Sequence, residues 1–408
     1  MTFYSCRKVV GMDGHAVVVG GGIGGLAGAL ALHRSGWRVT VLERAPELRE
    51  LGAGLTLMSN ALRGLDALGV GPAIRAHGRV DGPGGLRTRT GRWLSRVEAA
   101  GMTGQLGTTM LGIHRADLHG ILRDALPPGT LRTDAEVLDV TTGPDGARVR
   151  HRRHSEPTTL AADLVVGADG LRSTVRSRLW PDAAAPVYAG ATAWRAAIGW
   201  TDPLPTAVSW GPAAEFGMVP LGGGRVYWYG AVTAPAGGRA PDELAAAREH
   251  FGDWHDPVPA LLAATAPEQV LRHDLYHLAT PLPSYVHGRV VLLGDAAHAM
   301  TPYLGQGAAQ AIEDAVTLGA ACAGGPAHLD TALDRYDRER RPRTQALARA
   351  SARAGRYGQQ LRHPVAVAFR DTLIRLTPSA MALRQAARYA DWHPPLPEPA
   401  TDRSARPW

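Results

Sequence analysis

The stretch "HAVVVGGGIGGLAGALALHRSGWRVTVLER", His15 to Arg44, restricts the fold more than any other part of this chain. Ala16–Val19 is a short apolar run of strand type. It meets Gly20-Gly21-Gly22-Ile23-Gly24-Gly25, which holds G-x-G-x-x-G at Gly20, Gly22 and Gly25. Leu26 to Arg34 reads as a helix rich in alanine and leucine, and Trp37–Leu42 as a second strand closed by Glu43 and Arg44. In such a unit Gly20 permits the tight turn, Gly22 lets a pyrophosphate approach the backbone, and Gly25 lets the helix pack close to the sheet. The helix N-terminus, opening at Ile23, offers unpaired N–H groups and a positive dipole end. Glu43, eighteen residues after Gly25, is placed to accept hydrogen bonds from an adenosine ribose. These residues predict a dinucleotide site without separating NAD from FAD.

Two later turns favour FAD. "DLVVGADGLRSTVR", Asp163 to Arg176, runs from a strand into Gly167-Ala168-Asp169-Gly170 and a polar helix start. A simple nicotinamide dehydrogenase has no use for this second turn. The third follows the apolar run Val290–Leu293 and reads "GDAAHAMTPYLGQGAAQAIEDA", Gly294 to Ala315. Asp295 puts a carboxylate where it can accept hydrogen bonds from a ribityl chain, and Pro302 stiffens the loop. Gly305-Gln306-Gly307, followed by Ala308, lets backbone amides reach a flat ring at the start of the next helix. That positive helix end favours negative charge on a reduced flavin.

With these three turns in this order, the chain resembles the single-component (class A) flavoprotein monooxygenases, the p-hydroxybenzoate hydroxylase-like family. The resemblance runs from His15 to about Pro395 and implies further FAD contacts. Arg115, in "IHRADLHGIL", matches the family's cofactor-contacting arginine. Thr56, in "LGAGLTL", falls in the loop beside the cofactor, and Val137 falls where backbone touches adenine. Two positions depart from the family: Ala309 stands where Asn is frequent, and Ser59 where Pro is frequent. The implied fold is α/β, α+β in part: a Rossmann-like FAD-binding domain, an inserted mixed β-sheet substrate domain and a C-terminal helical segment. The expected division gives the FAD-binding domain 12–75, 105–182 and 286–342, the substrate domain 76–104 and 183–285, and the helical tail 343–408.

The middle of the chain supplies the substrate platform. Ala189–Trp200, Val208–Trp210, Glu215–Leu221 and Arg225–Val232 read as strands, with a hairpin turn at Gly222-Gly223-Gly224. Alternation puts Tyr227 and Tyr229 on one face and Trp228 on the other. Tyr227 matches a pocket tyrosine of several relatives, including the urate hydroxylase branch. Those relatives often carry a basic residue near Glu215, and this chain does not. Tyr227 and Arg195 are the candidate catalytic residues, each with a purely structural alternative. Met218, Trp228 and Tyr303 are candidate substrate contacts. His273 and His277 in "HDLYH" have i, i+4 spacing, but the stretch alternates like a strand and the chemistry needs no metal, so none is expected. His298 is read as cavity-lining rather than as a base.

The implied reaction uses NADPH or NADH and O2. Reduced FAD forms a flavin hydroperoxide, and a small electron-rich, aromatic substrate is hydroxylated or epoxidised. The chain has no second G-x-G-x-x-G unit, so the nicotinamide is expected to bind transiently. The rival is an FAD-dependent oxidase, dehydrogenase or reductase on the same fold, without oxygen insertion; a catalytically dead FAD-binding protein is another. A flavin halogenase needs a pocket lysine, and Lys8 is the only lysine here. Net charge is +7, but the arginines are dispersed, and the dense run Arg335–Arg343 reads as a solvated helix end, so no nucleic-acid partner is expected. Cys6 and Cys322 form no disulfide framework. No apolar run approaches the ~20 residues that span a bilayer. The expectation is a cytoplasmic monomer or homodimer without stable membrane insertion, starting at Met1 or Met12.

Overall fold

The computed structural model describes residues 14–48, 53–80, 84–97, 110–154 and 156–395. Cys6, Lys8, Met12, the Leu51-Gly52 start of the loop segment, residues 98–104 of the first substrate-domain segment and the last thirteen residues lie outside them.

The chain opens with β1 (His15–Val19), α1 (Ile23–Arg34) and β2 (Arg38–Leu42). It continues through β3 (Gly54–Leu57), α2 (Ser59–Ala67), β4 (Leu111–His114), α3 (Arg115–Asp124) and β5 (Leu164–Gly167). β1 is buried along its whole length, because it is a central strand with layers on both faces. It pairs in parallel with β2 on one side and β5 on the other. The sheet has six strands; Val290–Leu292 lies beside β5 and parallel to it, and Val286–His287 completes that edge. All three glycine turns therefore open at the C-terminal ends of adjacent parallel strands, where an α/β sheet presents its ligand crevice.

The second large sheet has seven strands. Its centre is β6 (Val187–Gly199), β7 (Thr206–Gly211), β8 (Ala214–Leu221) and β9 (Arg225–Thr233), and one edge is β10 (Leu271–His277). The turn between β8 and β9 places Leu221 opposite Arg225, with Gly223 and Gly224 at φ +71° and +67°. Helices α4 (Glu243–Phe251) and α5 (Val258–Ala263) cover one face. Trp194, Phe216, Met218 and Trp228 form a core with Phe251 and Leu261 there. The other face turns toward β3 and β4, where Tyr227 packs against Ala53.

After the strand β11 (Val290–Leu292) come α6 (Asp295–His298), α7 (Gly307–Ala321) and the long α8 (Leu329–Tyr357). The 342/343 division expected from the sequence falls inside α8, which carries Pro342 in its interior. Ion pairs from Arg340 and Arg343 to Glu313 hold the helix against α7 on both sides of that proline. Beyond α8 the tail joins the second sheet to helix α2. Gln359 and Gln360 donate to the Ala213 and Ala189 carbonyls, and Ser59 and Arg63 of α2 donate to the Ala390 carbonyl. Helices α9 (Pro364–Leu376) and α10 (Ser379–Ala390) lie between these anchors. Among the described residues no helix is long and apolar enough to cross a membrane.

Candidate active site

Gly20 has φ +105°, a conformation open to glycine and strained for other residues. A methyl group at Gly25 would collide with the Gly20 carbonyl oxygen, so α1 can start this close to the strand only with glycine there. Nothing lies within 4 Å of where a Gly22 side chain would point. α1 has no side-chain cap, so its first amides, beginning at Ile23, face that open space. Glu43 accepts hydrogen bonds from Gly21 N at 2.7 Å and Ala45 N at 2.8 Å, and Arg44 beside it is exposed. A carboxylate has about four acceptor sites, so capacity remains for a ribose. His119 on α3 bonds the Gly21 carbonyl at 2.6 Å; sequence reasoning did not assign it. Val137 lies on the strand that starts where Ala135 N donates to the Glu43 carbonyl. Arg115 begins α3 with its N–H on the Ala53 carbonyl, and Thr56 sits across from Gly112.

The second turn is tied to the third. Asp169 Oδ2 accepts from Thr174 N and Val175 N, while Oδ1 is buried without a partner. Burial raises the Asp169 carboxyl above the ordinary carboxylate range. Arg176 donates to the carbonyls of Leu171 and Ala296, which joins the Asp-Gly turn to α6.

Gly294, at φ +61°, caps α6, and Asp295 is exposed in an otherwise buried run from Val291 to Ala299. Its side chain therefore reaches solvent just past the C-terminal end of β11. Pro302 and Gly305 are also exposed, and Gln306 is buried. Gln306 Oε1 accepts from Asn60 and Gln310. Gly307 and Ala308 open α7, a fifteen-residue helix without a side-chain cap, so its positive end faces the same opening. Beneath the turn, Asp314 accepts from Gly294 N at 3.0 Å, His298 Nε2 at 2.5 Å and Arg340 Nε at 2.6 Å. Burial opposes ionisation of Asp314, yet His298 and Arg340 hold its carboxyl down at about 2. This network was not visible in the sequence.

The middle sheet brings Arg195 and Tyr227 to its inner face. Arg195 pairs across from Tyr229, and Tyr229 from Gly217; directly opposed residues share a face. Tyr229 lies so close over Gly217 that a methyl group there would collide with its ring. A methyl group at Gly54 would likewise meet Tyr227, which puts that ring against β3. Arg195 Nε is buried without a partner. Burial raises the Tyr227 hydroxyl pKa, and Arg195 and Arg115 pull it back down. Tyr303, in the flavin-end loop, packs on Ala193 and Ala231 of the same face and donates to Gln359. Met218 and Trp228 are corrected. Their alternate positions put them on the opposite face, where Trp228 stacks on Phe216 and donates to Thr265. Glu215, noted only as a departure, is on the inner face with Tyr229. His273 and His277 lie on strand β10.

The residues fit FAD. An open cradle at Gly22, an orphaned Asp169 oxygen, an exposed Asp295 and an uncapped α7 line one crevice over three adjacent strand ends. Gly22, Ile23 and Glu43 would hold the adenosine and pyrophosphate half, and Asp295 with the Gly305–Ala308 amides the ribityl and ring half. The fold and site thus define a dinucleotide-binding flavoprotein.

Comparison with known proteins narrows this. A family model described as an FAD binding domain matches residues 13–351. The chain is 40% identical over 347 residues to an aurachin C monooxygenase/isomerase of Stigmatella aurantiaca, covering 84% of this chain and 89% of that one. It is 36% identical over 362 residues to a 3-amino-4-hydroxybenzoate 2-monooxygenase of Streptomyces cremeus, covering 85% and 88%. The crystal structure of Klebsiella pneumoniae HpxO complexed with FAD and uric acid superposes with a TM-score of 0.86 at 25% identity, covering 92% and 96%. The chain belongs to the FAD binding domain family, within the p-hydroxybenzoate hydroxylase-like class A flavoprotein monooxygenases. It is an FAD-dependent monooxygenase with NAD(P)H as reductant.

Proposed function

We propose that the enzyme hydroxylates, or epoxidises, a small electron-rich aromatic substrate seated between the flavin end of FAD and the inner face of the middle sheet, with NADPH or NADH as transient reductant. The observation that carries this reading is the convergence of Arg195, Tyr227 and Tyr303 on one face, with Arg195 Nε unpartnered. FAD, when bound, supplies the redox chemistry that activates O2. The chain's own residues bind and orient the ring and exclude water. A Tyr227 hydroxyl donor and the fixed charge of Arg195 stabilise a phenolate-like oxygen, and an electron-rich oxyanion is the better partner for oxygen transfer. The aromatic hydroxy acid named for the Streptomyces cremeus relative supports an aromatic substrate. Gly22, Glu43, Arg115, Asp169, Asp295 and the Gly305–Ala308 segment are proposed as cofactor contacts. A cytoplasmic location fits the two cysteines and the free, buried Cys322; a monomer or homodimer is proposed with it.

Tyr227→Phe and Arg195→Gln are expected to keep FAD bound and to uncouple turnover, with hydrogen peroxide replacing hydroxylated product. Loss of one hydrogen bond to a charged group costs about 1.5–3 kcal/mol, on the order of 10- to 150-fold in oxygen transfer. The ratio of peroxide to product checks this, and unchanged coupling in both variants returns the two residues to a structural role.

A further inference from the structure

The pocket face carries one group that the reading above leaves unused. Glu215 is 5% exposed. Its Oε2 accepts a single hydrogen bond from Trp210 Nε1 at 3.1 Å, and no described cation pairs with it. A buried carboxyl ordinarily finds a cation or several N–H groups; one indole leaves most of its acceptor capacity unused. Burial accordingly pushes its carboxyl up to about 7. It stands two residues before Gly217, beside the Tyr229 ring, and its field reaches Tyr229 and Tyr303.

The spacing across the sheet sets what this group can read. Arg195, Tyr229 and Gly217 lie in line across three adjacent strands. With strands ~4.8 Å apart and a rise of ~3.4 Å per residue, the Glu215 and Arg195 backbones are roughly 12 Å apart. Tyr229 stands between them, and the span matches that of a bicyclic ring with opposite polarity at its two ends. An acceptor waits on the Glu215 side, and a donor and a cation wait on the Tyr227 and Arg195 side. A carboxylate-bearing ring turned toward Glu215 would meet like charge.

We propose that Glu215 is a substrate-reading residue that accepts a hydrogen bond from the ring N–H of a neutral N-heteroaromatic substrate whose ring oxygen faces Tyr227 and Arg195. This deepens the proposed function and rests on it for the position of the pocket. The rest of the molecule offers less. The exposed Val365, Phe369 and Leu373 stripe of α9 has nothing in the structure to say what covers it.

The test uses FAD-loaded enzyme and three probes: 4(1H)-quinolone, its 1-methyl derivative, and 3-hydroxybenzoate. Binding is read from the change in flavin absorbance, which needs no turnover. At pH 8, where Glu215 is ionised, wild type is expected to bind the N–H compound on the order of 10- to 150-fold more tightly than the N-methyl compound, as for a hydrogen bond to a charged group. Glu215→Leu should abolish that preference. Glu215→Gln, whose amide oxygen still accepts, should keep part of it, and Glu215→Arg should favour 3-hydroxybenzoate. Equal binding of the quinolone pair by wild type, no quinolone binding, or an unchanged preference in Glu215→Leu overturns the proposal. The oxygenase reading of the pocket fails on a separate measurement: no aromatic compound raises NAD(P)H oxidation with oxygen appearing in a product.

Discussion

Glu43 serves the fold and, in the proposed site, the ligand. Two of its acceptor sites hold the Gly21 and Ala45 amides, so the carboxylate fixes the glycine turn and keeps acceptor capacity for the proposed ribose contact. Glu43→Ala is expected to weaken FAD binding by about 1–3 kcal/mol, as for a charge-assisted acceptor, read by fluorescence titration of the apoprotein. Glu215 behaves differently because its pKa is raised. A carboxyl at about 7 in the fold and near 4.5 when unfolded binds its proton more tightly in the native state. Stability from this group is complete below the unfolded value and is lost as pH rises through that window to about 7. Glu215→Gln removes the slope, so its melting temperature should gain on wild type between pH 5 and pH 8. A parallel pH dependence in the two proteins would show that the Glu215 carboxyl is not the group that titrates. Gly20 and Gly25 were legible because each occupies a backbone position that few residue types tolerate, and Glu43 because a carboxylate closes the second strand beside the turn. Met218 and Trp228 were misassigned because the hydrophobicity of a residue does not say which face it serves; the hairpin register, with Met218 opposite Trp228, does.

Helix α8 is a bracket for the flavin-end turn. Arg340 reaches Glu313 and Asp314, Arg343 reaches Glu313, and Asp314 holds the Gly294 amide. The dense arginine run read as a solvated helix end thus has two members turned inward, and Arg340 is 1% exposed. Periodicity cannot reveal this, because a buried charge follows the same spacing as an apolar residue and its partner lies on another helix. Removing one member of a buried pair leaves an uncompensated charge, which costs about 3–5 kcal/mol. Arg340→Met should therefore lower the unfolding free energy by that amount, read by denaturant titration, and release FAD more readily on gel filtration. A stability within error of wild type would mean that water replaces the guanidinium. The strands and helices that carry the turns were readable from local pattern, whereas α8 running through Pro342 was not, since its continuity depends on tertiary ion pairs.

At the scale of the whole molecule, the proposed cofactor and substrate positions lie between the parallel sheet and the middle sheet, and the tail ties the middle sheet to helix α2. Gln359 and Gln360 hold the middle sheet, and the Ala390 carbonyl receives Ser59 and Arg63 of α2. FAD bound across this seam stabilises the native state by mass action, about 2.7 kcal/mol at a hundredfold excess over Kd. Apoprotein should melt at a lower temperature than holoprotein, and the difference should grow with added FAD; a melting temperature insensitive to FAD would contradict a site built from folded elements alone. The Asp314 junction also imposes an order of events on the ribosome. The Gly20–Gly25 turn is among the first segments to emerge, but the strand beside it ends at residue 167, and the Arg340 side chain that secures the last turn lies some 320 residues later. At roughly 5–20 residues per second, that interval is on the order of 16–64 s. Until it has passed, a nascent chain can offer FAD a phosphate cradle but no fastened seat for the ring, so capture of the cofactor is a late step in the life of each molecule.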